Sequence, residues 1–105
     1  MKQITYVNAL LDAYGTLLTE KQQEMMACYY EEDLSFSEIA ENYAISKAAV
    51  SDMIKRCESI LNHYESHLHL VEKNKLRKDL YDSIKTLGNE QVNEWIEELE
   101  QLDQR

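Results

Sequence analysis

The sequence predicts an all-α protein: a head carrying a helix-turn-helix, followed by two amphipathic helices. Three observations point there. Proline is absent and glycine occurs only at Gly15 and Gly88, so almost nothing interrupts a helix. Apolar residues recur at three- and four-residue intervals along most of the chain. Ser, Thr or Asn stands where those periodic stretches begin, twice with Gln or Glu three residues later. A chain of 105 residues suffices for one domain with a modest core. The expected division is a head over residues 1–61, with the helix-turn-helix at 35–56, and a helical extension over 62–105.

The first helix is expected over Tyr6 to Tyr14, with Val7, Leu10, Leu11 and Tyr14 on one side and Gly15 as a left-handed stop. Thr19 with Gln22 forms a capping box for the second helix, whose stripe is Met25, Met26, Tyr29 and Tyr30 and which fades in the acidic "EEDL". Ser35 with Glu38 opens a short third helix ending near Tyr43. Ser46 caps the fourth after a connection of only Ala44 and Ile45, which forces a sharp angle.

From Val50 the apolar positions Ile54, Cys57, Leu61, Tyr64, Leu68 and Val71 follow a heptad-like seam. The register fails at Lys75 and resumes through Leu76, Leu80, Ile84 and Leu87, which places a bend or loop between Ser66 and Lys75. Gly88 ends that stretch. Asn89 caps a last helix with Val92, Trp95, Ile96, Leu99 and Leu102 on one face, and Trp95 is expected to anchor it to the helix before.

Within "SFSEIAENYAISKAAVSDMIKR", residues 35–56, Ile39, Ala40, Ile45, Val50 and Met53 take the inward places of a helix-turn-helix. Ala40 must be small so that the helices can approach. Lys47, Ala48, Ser51, Asp52 and Lys55 then point outward from the second helix. Ala44 stands where glycine is frequent, which strains the bend if φ is positive there.

The net charge of -9 is unevenly spread. Residues 1–45 carry two lysines against eight carboxylates and residues 89–105 one arginine against six, whereas residues 46–88 carry eight cations against six. Basic surface is therefore confined to the fourth helix and the stretch just beyond it. Candidate phosphate contacts are Lys47, Lys55 and Arg56, with a secondary patch at Lys73, Lys75, Arg77 and Lys78.

Cys28 and Cys57 sit at helical spacing among apolar residues and form no CxxC pair, as reduced core thiols of a cytoplasmic protein do. The N-terminus lacks the apolar run of a signal peptide and no segment is long enough to span a bilayer. His63 and His67 share a face, but their spacing lacks further ligands, so no metal or other cofactor is expected. No nucleophile with its base, phosphate loop or carboxylate pair is present, and no enzymatic activity is expected.

The run "LTEKQQEMMACYYEEDLSFSEIAENYAISKAAVSDMIKRCESIL" resembles region 4 of bacterial sigma factors. With "LLDAYGTLLTEKQQ" before it and "HYESHLHLVEK" after, the chain is similar to the YlxM-like family of small helix-turn-helix regulators, over residues 5 to 90. The resemblance implies an all-α cytoplasmic bacterial protein, with a dimer among its expected states and a regulatory part in the signal recognition particle pathway. It also implies that Ser46, Lys47, Ser51 and Lys55 face DNA, although sigma factors carry several arginines here and this helix carries Asp52. The alternative expectation keeps the fold as a protein- or RNA-interaction module of that pathway. A homodimer is expected through Leu61, Tyr64, Leu68, Val71 and Trp95.

Overall fold

Helix starts in this chain are set by side chains that accept from the otherwise unpaired backbone amides of the first turn. The Thr19 hydroxyl accepts from the Gln22 amide at 3.2 Å while the Gln22 side chain accepts from the Thr19 amide at 2.9 Å. Ser35 and Glu38 repeat the exchange at 3.1 and 3.0 Å. Ser46 Oγ accepts from the Ala49 amide, and Asn89 Oδ1 from the Val92 amide, both at 3.0 Å. All four caps fall where the sequence pattern puts them.

A computed structural model describes residues 4–104. The chain divides into two units, Met1–Leu68 and His69–Arg105. The first holds α1 (Ile4–Tyr14), a 3-10 turn (Gly15–Leu17), α2 (Glu20–Tyr30), α3 (Phe36–Tyr43) and α4 (Lys47–Leu68); the second holds α5 (Leu70–Lys85) and α6 (Glu90–Asp103). No strand occurs among the described residues, and the protein is all-α.

In the first unit α4 is the element on which α1, α2 and α3 all pack. Its Val50, Ile54, Cys57 and Leu61 are buried, as are Val7, Leu10 and Tyr14 of α1, Leu18 before α2, Met25, Met26 and Tyr30 of α2, and Ile39 and Ala40 of α3, which make up the core of this unit. Polar bonds fasten the same helix. Tyr30 donates to Glu58 Oε1 at 2.5 Å and Tyr14 to Glu65 Oε1 at 2.6 Å, and the Tyr14 ring stacks on Tyr64 at 5.9 Å. Leu61 and Tyr64, expected in a seam between copies, are thus engaged in packing within this unit.

Gly15 departs from expectation. It opens a 3-10 turn closed by the Leu18 amide donating to its carbonyl at 3.0 Å, and among described glycines only Gly88 has a positive φ, 70°. The chain needs no left-handed residue there, because a tighter helical turn carries it to the cap at Thr19. The left-handed residues within the head are Asp33 and Ala44. Ala44, φ 54°, closes α3: its amide donates to the Glu41 carbonyl at 3.3 Å and the Ile45 amide to the Ala40 carbonyl at 3.1 Å. That is a Schellman turn with alanine in the place glycine usually fills.

The break expected between Ser66 and Lys75 falls at His69, whose φ is 55°. In the second unit α5 and α6 run antiparallel, joined by Arg77 to Asp103 at 3.4 Å, Tyr81 donating to Asp103 at 3.0 Å, and Lys85 to Glu100 at 2.5 Å. The Glu100 carboxylate holds Lys85 above its usual range. Among the described residues of this unit only Tyr81 and Ile96 are buried. Trp95, expected to anchor α6 to α5, is 55% exposed; Ile96, one position on and so about 100° round the helix, occupies the seam instead.

The head yields two predictions. Replacing Ala44 with Gly relieves the Cβ penalty of the left-handed conformation by more than it adds chain entropy, and should stabilise the protein by about 0.5–1 kcal/mol in thermal or urea melts; a loss of stability would contradict the assigned turn. Burial, then the bond to Glu58, pushes the Tyr30 phenol above its ordinary value of 10.0. The folded state therefore holds that proton more tightly, so this contribution is complete below pH 10 and fades as the pH rises above it. Tyr30→Phe should cost about 1–2 kcal/mol near neutrality and reduce the alkaline fall in stability measured by urea titration at successive pH values.

Candidate nucleic-acid interface

A helix that presents side chains to a groove must be held from behind, and the hydroxyl cap at Ser46 starts α4 directly after the Schellman turn. At 100° per residue, Val50, Ile54, Cys57 and Leu61 define the inward side, leaving Ala48, Ser51, Asp52, Lys55 and Arg56 on the outward arc. The structure agrees. Ser46, Lys47, Ala48, Asp52, Lys55 and Arg56 are exposed, and Ser51 is half-buried at the edge of the arc. Ile39 and Val50 are fully buried, and Ala40 is buried where α3 crosses α4.

Lys55 and Arg56 share the outward arc with one carboxylate, Asp52, which lies one turn before them and offsets one of them, while Lys47, exposed in the first turn of α4, lies on the opposite flank of the helix from Arg56. The surroundings are acidic: Glu38 and Glu41 on α3, and Glu24, Glu31, Glu32 and Asp33 on or just after α2, are all exposed. Lys47 borders a shallow recess with Tyr29, Ser35, Phe36 and Glu38, floored by the Tyr29 and Phe36 rings stacked at 4.7 Å. Burial raises the Cys28 and Cys57 thiols above their usual range, which keeps both in the protonated, weakly reactive form.

The secondary basic run does not form one patch. Lys73, Lys75 and Lys78 are exposed on α5, but Arg77 is turned to α6, bonded to Asn74 Oδ1 at 3.0 Å and to Asp103. Successive 100° steps set Lys73 well away from Lys75 and Lys78. On α4 the His63 and His67 rings meet edge-on at 4.6 Å. No group of three or more His, Cys, Asp or Glu suited to a metal ion occurs among the described residues, and none of the described helices is long and apolar enough to cross a membrane. The tyrosine-to-carboxylate ties to Glu58 and Glu65 were not foreseen, since nothing in local periodicity links residues so far apart in sequence.

A short capped helix, a left-handed turn and a longer helix with an outward polar arc, supported by two further helices, define a helix-turn-helix protein. A family profile described as "Putative helix-turn-helix protein, YlxM / p13 like" matches residues 1–102, and the chain belongs to that family. It is similar to the UPF0122 protein YlxM of Bacillus subtilis, 42% identical with 98% of each chain covered. It is also similar to a UPF0122 protein of Bacillus thuringiensis, 40% identical over 98% of this chain and 99% of the relative. A third relative, from Clostridium acetobutylicum, is 47% identical over 81% of this chain and 73% of the relative. Helix-turn-helix proteins are a non-enzymatic kind.

Because Lys47 and Lys55 are exposed and outside the core, reversing both to Glu should change folding stability by no more than about 0.5 kcal/mol per site, measured by thermal melting. A larger loss would mean these side chains support the fold.

Proposed function

We propose that this protein is a cytoplasmic regulatory DNA-binding protein that lays the first half of α4 in the major groove. Lys47, Lys55 and Arg56 contact phosphates, and Ser46, Ala48 and Ser51 face base edges. The observation carrying this reading is the outward arc of α4, capped, exposed and locally cationic in an otherwise acidic head. Two copies acting together would present two such helices, at a spacing that a two-fold site must match.

A second reading is favoured by the net charge of -9: a basic protein partner, such as a protein or ribonucleoprotein component of the signal recognition particle pathway, supplies much of the specificity. Long-range steering toward a bare duplex is poor for such a chain, whereas a basic partner is drawn to it.

Fluorescence anisotropy with duplex DNA from 50 to 300 mM salt separates the two. DNA binding through three cations gives a log–log slope of about -3 per copy, from roughly -0.9 per phosphate, and Lys47→Glu with Lys55→Glu abolishes it. Absence of DNA binding at 50 mM salt, together with saturable binding of purified signal recognition particle protein or ribonucleoprotein, would sink the first reading in favour of the second.

A further inference from the structure

The second unit is smaller than about 40 residues, a size at which a chain rarely sustains a core unaided. Its large apolar side chains are mostly outside: Leu76 and Leu80 of α5, Leu87 in the turn after it, and Trp95, Leu99 and Leu102 of α6 are between 42% and 79% exposed. The five on the helices are not scattered. On α5 the residues facing α6 are Arg77, Tyr81 and Ile84, and Leu76 and Leu80 lie about a quarter-turn from them; on α6, Trp95, Leu99 and Leu102 lie about a quarter-turn from Ile96, in the same rotational sense. Because α5 and α6 are antiparallel, equal offsets in one sense bring both stripes to one face of the hairpin.

We infer that this α5–α6 face is the interface with a second copy of the chain, forming a four-helix bundle from two hairpins. The inference deepens the two-copy reading above and rests on it. Two observations select this occupant. Five side chains at such exposure amount to roughly 500 Å² per copy, or about 1,000 Å² across a pair, the lower bound for a specific interface and the upper part of the range for one patch on a lone soluble protein. Further, Leu76, Trp95 and Leu102 stand on the outer flanks of the stripe, beyond the reach of a single helix lying in the groove between α5 and α6. Two helices side by side cover them, as an identical hairpin does.

Exposed Glu72 and Asp79 border the stripe on α5 and exposed Glu98 on α6. Exposed Lys73 lies on the α5 side of the face, so three carboxylates stand against one cation and the balance is acidic, which disfavours a nucleic acid or an anionic membrane on this face. It also fixes the salt dependence: like-charged rims repel, so self-association should strengthen with salt, whereas capture of a basic amphipathic helix should weaken.

Trp95 is the only tryptophan, so its emission reports this surface directly. The full chain, followed by sedimentation velocity and Trp emission from 0.1 to 100 µM, should be a dimer in the micromolar range. Its emission should shift to the red on dilution, and its dissociation constant should fall as NaCl rises from 50 to 500 mM. Leu80→Gln with Leu99→Gln replaces exposed side chains, so helicity by circular dichroism should hold while the dissociation constant rises at least 100-fold; Leu68→Gln, outside the face, should leave it unchanged. A wild type that stays monomeric to 100 µM would overturn both the two-copy reading and this one. A wild-type dimer that persists unchanged in the double variant, or weakens with salt, would overturn this surface alone.

Discussion

Everything in the head hangs on one buried stripe, Val50, Ile54, Cys57 and Leu61 of α4, against which α1, α2 and α3 each pack. A helix has only so much circumference. Spending about a quarter of it on three neighbours leaves the rest to solvent, and the first half of the helix carries on that remainder the arc of Ala48, Ser51, Asp52, Lys55 and Arg56. The direction in which the candidate interface points is therefore a by-product of core packing. The loss of a fully buried Ile or Leu from this stripe, typically costing about 2–5 kcal/mol, would undo the presentation of the arc along with the fold.

Electrostatics divides the molecule differently from packing. Many of the head's carboxylates stay in water, but Glu58 and Glu65 accept from Tyr30 and Tyr14, which fastens the later part of α4 to its support through charge-assisted bonds. In the second unit the basic helix α5 is tied to the acidic helix α6 at Arg77 and Lys85. Cations so engaged are less available to a polyanion, which leaves the start of α4 as the best-placed cationic surface.

Sequence made the local features legible. The caps at Thr19, Ser35, Ser46 and Asn89, the break before Lys75 and the small residue at Ala40 are all written in residues within one helical turn of where they act. Periodicity also found the members of the α4 stripe. It could not say what each member faces: Leu61 continues the seam in sequence yet is fully buried inside the head, Tyr64 is half-buried against Tyr14, and α6 turns Ile96 inward where the larger Trp95 looked the natural anchor. Gly15 was misread for a related reason, since a glycine after a helix allows a left-handed stop without requiring one. Tyr14 and Tyr30 find their carboxylates only once the chain has folded back on itself, and no local rule anticipates that.

The continuity of α4 has a mechanical meaning. Lys47 to Leu68 is one hydrogen-bonded rod of roughly 33 Å at 1.5 Å per residue. The arc at its start shares that rod with the segment locked by Tyr14 and Tyr30. Turning the arc by even a few degrees would shear those locks, so fitting to a target falls to the long side chains of Lys47, Lys55 and Arg56, or to the target itself. An interface of this kind selects among partners by their own pliancy: a surface that bends to meet a stiff rod is accepted, and one that cannot is refused.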